Sequence, residues 1–360
     1  MKLSNLVEFG LIHAIQQLSS KRSPGTIIGI GDDAAVLKIG PSKLLLATTD
    51  MLIEDVHFDL SYTDFYSLGW KSASINLSDV AAMGGLPRFC LTSLALPVHI
   101  PVKAVMDFYR GFNALLRIHK TVLVGGDTCS STSGLVISVT VLGEAKKRTV
   151  ISRAGAKKGD RIFVTGTLGD SGAGMELLRS AECGMRNRGS KTAKGEGSGV
   201  RGKDRKSEIR NPKSAMSTLI ERHLRPVPRV EWGRRIALSG CASSMIDVSD
   251  GLSSDLLHLC EESGTGALLH GDRIPFSPAL LRSADQLRKS PLEYALSGGE
   301  DYELLFTVPS ARMKTLEALR IPVTEIGTIT TGKAMLQVSE TGSKIPLRPT
   351  GYNHFKVKKD

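Results

Sequence analysis

Five short aspartate motifs constrain what this chain can fold into. Gly29-Ile-Gly-Asp-Asp33, Thr48-Thr-Asp50, Asn76-Leu-Ser-Asp79, Gly125-Gly-Asp127 and Asp247-Val-Ser-Asp-Gly251 each set a carboxylate beside glycine, serine or threonine. Most stand where an apolar, strand-like run meets a turn. Aspartate favours turns on its own account, but five clusters with the same companions exceed that preference. Carboxylates gathered at strand ends, next to glycines that let phosphate oxygens approach the backbone, are what a magnesium–nucleotide site needs. Mg²⁺ takes a few carboxylates and fills its other positions with water and substrate phosphate.

A length of 360 residues with 41% hydrophobic content suits two ordinary soluble domains. No apolar run approaches the ~18 residues of a membrane span. The amphipathic start, Leu6 to Leu18, is broken by Glu8 and His13 and lacks a small-residue cleavage site, so no signal peptide is expected. Five cysteines (Cys90, Cys129, Cys183, Cys241, Cys260) are odd in number, widely spaced and without a Cys-x-x-Cys. That argues against a zinc site or a disulfide framework and for the cytoplasm.

The net charge of +11 invites a nucleic-acid reading, but its location opposes one. Residues 183–215 hold ten Lys/Arg against three acids, with glycines and serines and almost no apolar residue. Such a segment cannot bury enough surface to order itself, and it lacks the aromatics of a stacking surface. It is expected to be a disordered basic insertion, replaceable by a short linker, with no specific nucleic-acid partner.

The remaining pattern reads as α+β, with residues 1–150 as one domain and 151–360 as a second. Ser4 can cap a helix from Asn5 to about Leu18. Lys43 to Thr49 reads as a strand ending at Asp50, Asp64 to Met83 as a long helix, and Thr121 to Val124 as a short strand delivering Asp127. Asn76 and Asp79 share one face of the long helix. In the second half a strand is expected over Arg161 to Thr165, a helix from Asp170 to Ala181, and a strand from Tyr302 to Val308.

Gly29-x-Gly31-x-x-Ala34 superficially fits a dinucleotide fingerprint, but no crossover helix fits before Gly40-Pro41. Gly166-Thr-Leu-Gly169-Asp-Ser-Gly172 follows a strand and opens a helix, where backbone N–H groups can bind an anion or simply make a tight junction. Arg153 can neutralise phosphate or stand as a solvated charge. His57 can bind an anion when charged or serve as a capping group. Glu300 and Asp301, before a strand, could meet a cationic ligand.

Taken in order, Gly29 to Leu37, Thr48 to Asp50, His57-Phe58, Asn76 to Gly84 and Gly125 to Thr128 resemble the ATP-binding half of the thiamine-monophosphate kinase family. So do Val164 to Ser171, His223-Leu-Arg-Pro-Val-Pro-Arg229, Ile246 to Leu252, Ser297 to Leu304 and Gly351 to Phe355. The aspartate motifs are shared with aminoimidazole ribonucleotide synthetase and selenophosphate synthetase. The His223 and Ser297 segments are more specific to the kinase. The resemblance implies ATP-dependent phosphorylation of thiamine monophosphate to thiamine diphosphate, with several Mg²⁺ ions. It implies an N-terminal mixed sheet that completes a barrel across a homodimer, and a C-terminal α/β sandwich. It places Asp33, Thr48, Thr49, Asp50, Asp79, Asp127, Asp247 and Asp250 on metal. Gly126, Asp127, Arg153 and Ser249 would contact ATP, and His57, Glu300 and Tyr352 the thiamine substrate. The alternatives are a related ATP-dependent synthetase, or a non-enzymatic nucleotide- or RNA-binding protein. Neither a membrane nor a phospho-enzyme is expected.

Overall fold

Alternation of apolar and polar residues builds the first half into a sheet with one covered face. In a computed structural model describing residues 12, 15–17, 25–189, 214–338 and 342–351, six strands make that sheet. They are β1 (Thr26–Ile28), β2 (Ala35–Lys38), β3 (Lys43–Ile53), β4 (Leu86–Pro97), β5 (Val122–Ser131) and β6 (Val136–Lys146). Their order is β1-β2-β3-β6-β4-β5, and every pair is antiparallel except β4 with β5. Those two run parallel because helix α2 (Val102–Ile118) carries the chain back between them.

Two expected strand ends need correction. β3 does not stop at Asp50. Its pairing with β6 holds without a break from Lys43↔Lys146 to Ile53↔Val136. β5 likewise runs through Asp127 to Ser131 alongside β4. The period of two then decides which acids face inward. Along β3 the side chains of Leu44, Leu46, Thr48, Asp50 and Leu52 turn toward the covered face, while Thr49 and Met51 turn outward.

The second half forms a seven-stranded mixed sheet in the order β13-β12-β9-β11-β7-β10-β8. Its strands are β7 (Arg161–Thr165), β8 (Ser244–Asp247), β9 (Gly266–His270), β10 (Leu304–Val308), β11 (Val323–Thr330), β12 (Met335–Val338) and β13 (Lys344–Pro346). Around it lie α3 (Asp170–Gly189), α4 (Ala215–Leu224), α5 (Val230–Ser239), α6 (Leu252–Ser263), α7 (Pro278–Ser283), α8 (Pro291–Ser297) and α9 (Met313–Ala318). Apolar clusters cover both faces, and every residue of β10 is buried. Helices α7 and α8 were not expected, yet both carry a start signal. Ser277 and Ser290 cap them with a proline in the first turn, and Glu293 closes a capping box on Ser290.

Helix α3 continues to Gly189, past the expected end at Ala181 and into the segment 183–215. Glu182, Met185, Arg186 and Arg188 favour helix enough to carry the backbone over Gly184. Residues 190–213, most of the helix expected from Asn5, and Tyr352 lie outside the described residues.

One helix joins the two halves. α1 (Phe65–Ala82) begins where Asp64 accepts from Ser67 N at 2.9 Å. It lies against β3 and β6 on one side and α5 and β8 on the other. It crosses α2 with the backbones touching: a Cβ on Gly69 would sit 1.9 Å from the Phe108 carbonyl oxygen, and one on Gly111 1.8 Å from that of Tyr66. The core on this side is continuous, running from Leu46 and Val139 through Leu77 and Val80 to Ile236 and Phe306. A helix buried all round can bring polar residues to both sheets, and α1 does so.

Candidate active site

Three elements from distant parts of the chain meet at a buried acidic centre. Asp33 stands in the turn before β2, Asp79 in the last turn of α1, and Asp247 closes β8. Carboxylate oxygens of the three lie within 4.8 Å of one another. Thr48 Oγ1 donates to Asp79 Oδ2 at 2.5 Å, and Ser78 Oγ donates to Asp247 Oδ2 at 2.6 Å. Asp50, inward-facing on β3, lies near enough to Asp79 for its carboxylate to push the Asp79 pKa up. Buried Asp33 Oδ2 and Asp50 Oδ2 have no hydrogen-bond partner among the described residues.

So many buried carboxylates resist ionisation together. Burial, then Asp33, pushes Asp247 up to about 8. Burial first and then Asp50 and Asp247 hold Asp79 well above the usual range. Asp33 and Asp50 are raised by burial as well. Arg153 is the cation among them. Its Nη2 is 2.6 Å from Asp33 Oδ1, and its backbone N–H donates to Asp32 Oδ2 at 3.2 Å. Burial pulls the guanidinium pKa down, but Asp33 more than offsets this and the net shift is upward. One guanidinium cannot offset all of these acids once they ionise, and a further cation would. Orphaned carboxylate oxygens crowded this closely fit a divalent cation, which prefers oxygen donors.

Other expected site residues fall elsewhere. Thr49 faces the opposite side of the sheet, its Oγ1 2.9 Å from Thr140 Oγ1 and 3.2 Å from the Val139 carbonyl. Gly126 and Asp127 lie on β5, the exposed edge strand, three strands across from β3. At about 4.8 Å per strand, that separation is about 14 Å. The chain alone therefore brings neither Thr49 nor Asp127 to the centre. Ser249 and Asp250 stand in the turn between β8 and α6, beside it. Asp255, which sequence reasoning missed, accepts from Asp250 N and Gly251 N at 3.2 and 3.1 Å. It lies in the first turn of α6, four residues from Gly251, and that spacing after Asp247-Val-Ser-Asp-Gly251 was its only signal.

A second polar cluster surrounds Glu300. Gly299, Glu300 and Tyr302 all take left-handed φ values of +67°, +57° and +50°. Glycine is needed first because a Cβ on Gly299 would sit 2.6 Å from the Ser249 carbonyl oxygen. This turn is why β10 begins at Leu304 rather than at Tyr302. Glu300 Oε1 lies 2.7 Å from Lys71 Nζ, and Oε2 lies 3.3 Å from His223 Nδ1. Burial would raise the Glu300 pKa, but Lys71 outweighs it and holds it below the usual value. Burial, then Lys71, pushes His223 down to about 3, so the ring is neutral. Ser171 Oγ is 3.1 Å from the same Nδ1. His57 caps the end of β3, its Nδ1 accepting from Ile53 N at 2.9 Å.

The Gly166–Gly172 junction has its own carboxyl group, although burial pushes its pKa up to about 8. Asp301 accepts from Gly169 N at 2.7 Å and Ser171 N at 3.2 Å, so it fills the N-terminus of α3. The His223–Arg229 segment ties α1 to this region. Trp70 Nε1 donates to the Pro226 carbonyl at 2.7 Å, and Arg229 grips buried Glu303 with two nitrogens. No helix among the described residues is long and apolar enough to cross a membrane.

Several known proteins resemble this chain over nearly its whole length. Residues 31–145 match the family "AIR synthase related protein, N-terminal domain", and residues 157–338 match its C-terminal domain. A thiamine-monophosphate kinase of Aquifex aeolicus is 38% identical over 99% of this chain and 100% of its own length. One from Bacillus subtilis is 36% identical over 97% of this chain and 99% of its own. The solved complex of AaThiL with AMPPCP and TMP superposes with a TM-score of 0.79 at 37% identity, covering 98% of this chain and 99% of that one. Two α+β domains of this type, relatives of this identity and near-complete coverage place the chain in the thiamine-monophosphate kinase family.

Proposed function

We propose that this protein transfers the γ-phosphoryl group of ATP to thiamine monophosphate, giving ADP and thiamine diphosphate. The observation that carries this reading is the convergence of Asp33, Asp79 and Asp247 within 4.8 Å, with the Glu300 cluster joined to it through α1, which carries both Asp79 and the Glu300 partner Lys71. Two polyphosphate anions must meet, and a buried acidic centre that gathers divalent cations is suited to that task. Asp33, Thr48, Asp50, Asp79 and Asp247 would hold Mg²⁺, with Asp250 at the margin. When bound, the ions supply charge neutralisation for the phosphates. Arg153 and Ser249 would meet ATP beside them, and His57, Glu300 and Tyr352 the thiamine end of the acceptor. Four cysteines are free among the described residues, which suits a reducing cytoplasm.

No general base is required in this reading. A phosphate monoester with a second pKa of about 6 is already largely ionised at neutral pH. Positioning and electrostatics then carry the rate, and transfer is direct. A panel of acceptors tests this. ADP and thiamine diphosphate should form in equal amounts with thiamine monophosphate, and neither with thiamine nor without an acceptor. The γ-phosphorus should invert. Turnover of another acceptor in place of thiamine monophosphate, or retention at phosphorus, would sink the reading.

We further propose a homodimer closed through the outer face of the first sheet. Met51, Phe89, Leu91, Val122 and Val124 are exposed there, and among the described residues β5 has no strand paired on its outer edge. A second copy on this face also offers a way to bring Gly126 and Asp127 toward Thr49. Light scattering should give twice the monomer mass at micromolar protein. Val124→Asp should give a monomer with lowered turnover, and Asp127→Asn a dimer with lowered turnover. An active wild-type monomer would refute the dimer.

A further inference from the structure

Lys71 is buried to 2% exposure, and none of the aspartate motifs includes it. A lysine buried this deeply needs a partner. Its partner is Glu300, at 2.7 Å. Glu300 in turn sits in a backbone conformation that side chains avoid, with φ +57°. Such a conformation persists only where the surroundings over-determine it. Here Glu300 N donates to the Ser249 carbonyl at 2.7 Å, and Tyr302 N to that of Val248 at 2.9 Å. Those bonds stitch the Glu300 turn to the strand end that carries Asp247. Lys71 and His223 then fix the carboxylate itself, one oxygen each.

The other end of the arrangement is equally fixed. Lys71 and Asp79 both belong to α1. Eight residues of helix separate them, about 12 Å along the axis. The Glu300 carboxylate is thus tied to the acidic centre twice, once through the helix and once through the β8 strand end.

We propose that Lys71 is a substrate-positioning residue. It holds Glu300 at a set span from the Asp79–Asp247 centre, so that an acceptor is selected by the distance between the group Glu300 meets and the phosphate that reacts. The inference rests on thiamine monophosphate being the acceptor. Lys71 acts only through Glu300, so the two residues should behave as one unit.

A double-mutant cycle tests this in the full-length protein. Steady-state rates would be measured for wild type, Lys71→Met, Glu300→Gln and the double variant, varying each substrate in turn. Each change should raise KM for thiamine monophosphate about tenfold or more, the effect of losing one charge-assisted hydrogen bond. KM for ATP should stay within about twofold, and the double variant should be no worse than Glu300→Gln alone. The double variant leaves no lone buried charge, so it remains readable even if Lys71→Met fails to fold. Effects that multiply in the double variant would mean that Lys71 touches the substrate itself, and would overturn the proposal. So would a folded Lys71→Met with unchanged KM for thiamine monophosphate, or an equal rise in both KM values. A wild-type protein inactive on thiamine monophosphate would overturn the proposed function and this inference together. An active wild type with unaffected variants sinks the inference alone.

Discussion

Asp79→Asn is expected to lower turnover by at least about 10²-fold and, in metal-free protein, to raise the melting temperature. The two effects come from one cause. Asp79 is crowded by Asp50, Asp247 and Asp33 in a buried place, and its pKa is driven well up. Asparagine keeps the shape and can still accept from Thr48 Oγ1, but it removes an ionisable group whose burial and crowding oppose folding. Folding gains, and the cation-binding capacity of the centre falls. Asp50→Asn should behave in the same sense, since Asp50 shares the inner face of β3 with Thr48. Initial rates with saturating ATP and Mg²⁺, paired with thermal melts in chelator, measure both effects. Near-full activity in a folded Asp79→Asn would remove it from the site. A lowered melting temperature would mean that the acids are stabilised by contacts not seen here.

Metal-free protein should also lose stability as pH rises, and Mg²⁺ should reverse the loss. Asp247 has a folded pKa of about 8 against an ordinary 3.8, raised by burial and then by Asp33. A raised carboxylate pKa means that the folded state holds its proton more tightly than the unfolded chain does. Its contribution is therefore fully present below the unfolded value and is lost as pH climbs toward about 8. Asp33, Asp50 and Asp79 are raised in the same direction and add to the slope. Melting temperatures in chelator should fall between about pH 6 and about pH 8, and added Mg²⁺ should raise them more at the higher pH. A flat profile, or an equal Mg²⁺ effect at both pH values, would count against a centre of crowded acids.

The acidic centre was legible because each aspartate carries its own short signature, and Asp33, Asp79 and Asp247 do converge. What the signatures could not say was orientation. Thr48, Thr49 and Asp50 are consecutive, and only the register with β6 turns Thr48 and Asp50 inward and Thr49 outward. Asp127 has as clear a motif as Asp79, but the parallel pairing of β5 leaves it at the sheet edge. Lys71 was not legible at all. One lysine in a helix reads as a solvated charge, and its partner Glu300 lies in the other half of the chain. Helices α7 and α8 were legible and missed, since Ser-Pro starts at Ser277 and Ser290 are ordinary capping signals. The anion-binding junction before α3 had two readings that only Asp301 could separate.

The central claim is that the acidic centre binds divalent cations in order to bring two phosphates together. Formation of thiamine diphosphate from ATP and thiamine monophosphate, followed across a Mg²⁺ titration, tests it most directly. Product should be absent in chelator, should rise with Mg²⁺ to saturation in wild type, and should remain at least about 10²-fold lower in Asp79→Asn at every Mg²⁺ concentration. Product formed at full rate in chelator, or none at saturating Mg²⁺ in folded wild-type protein, would contradict the account.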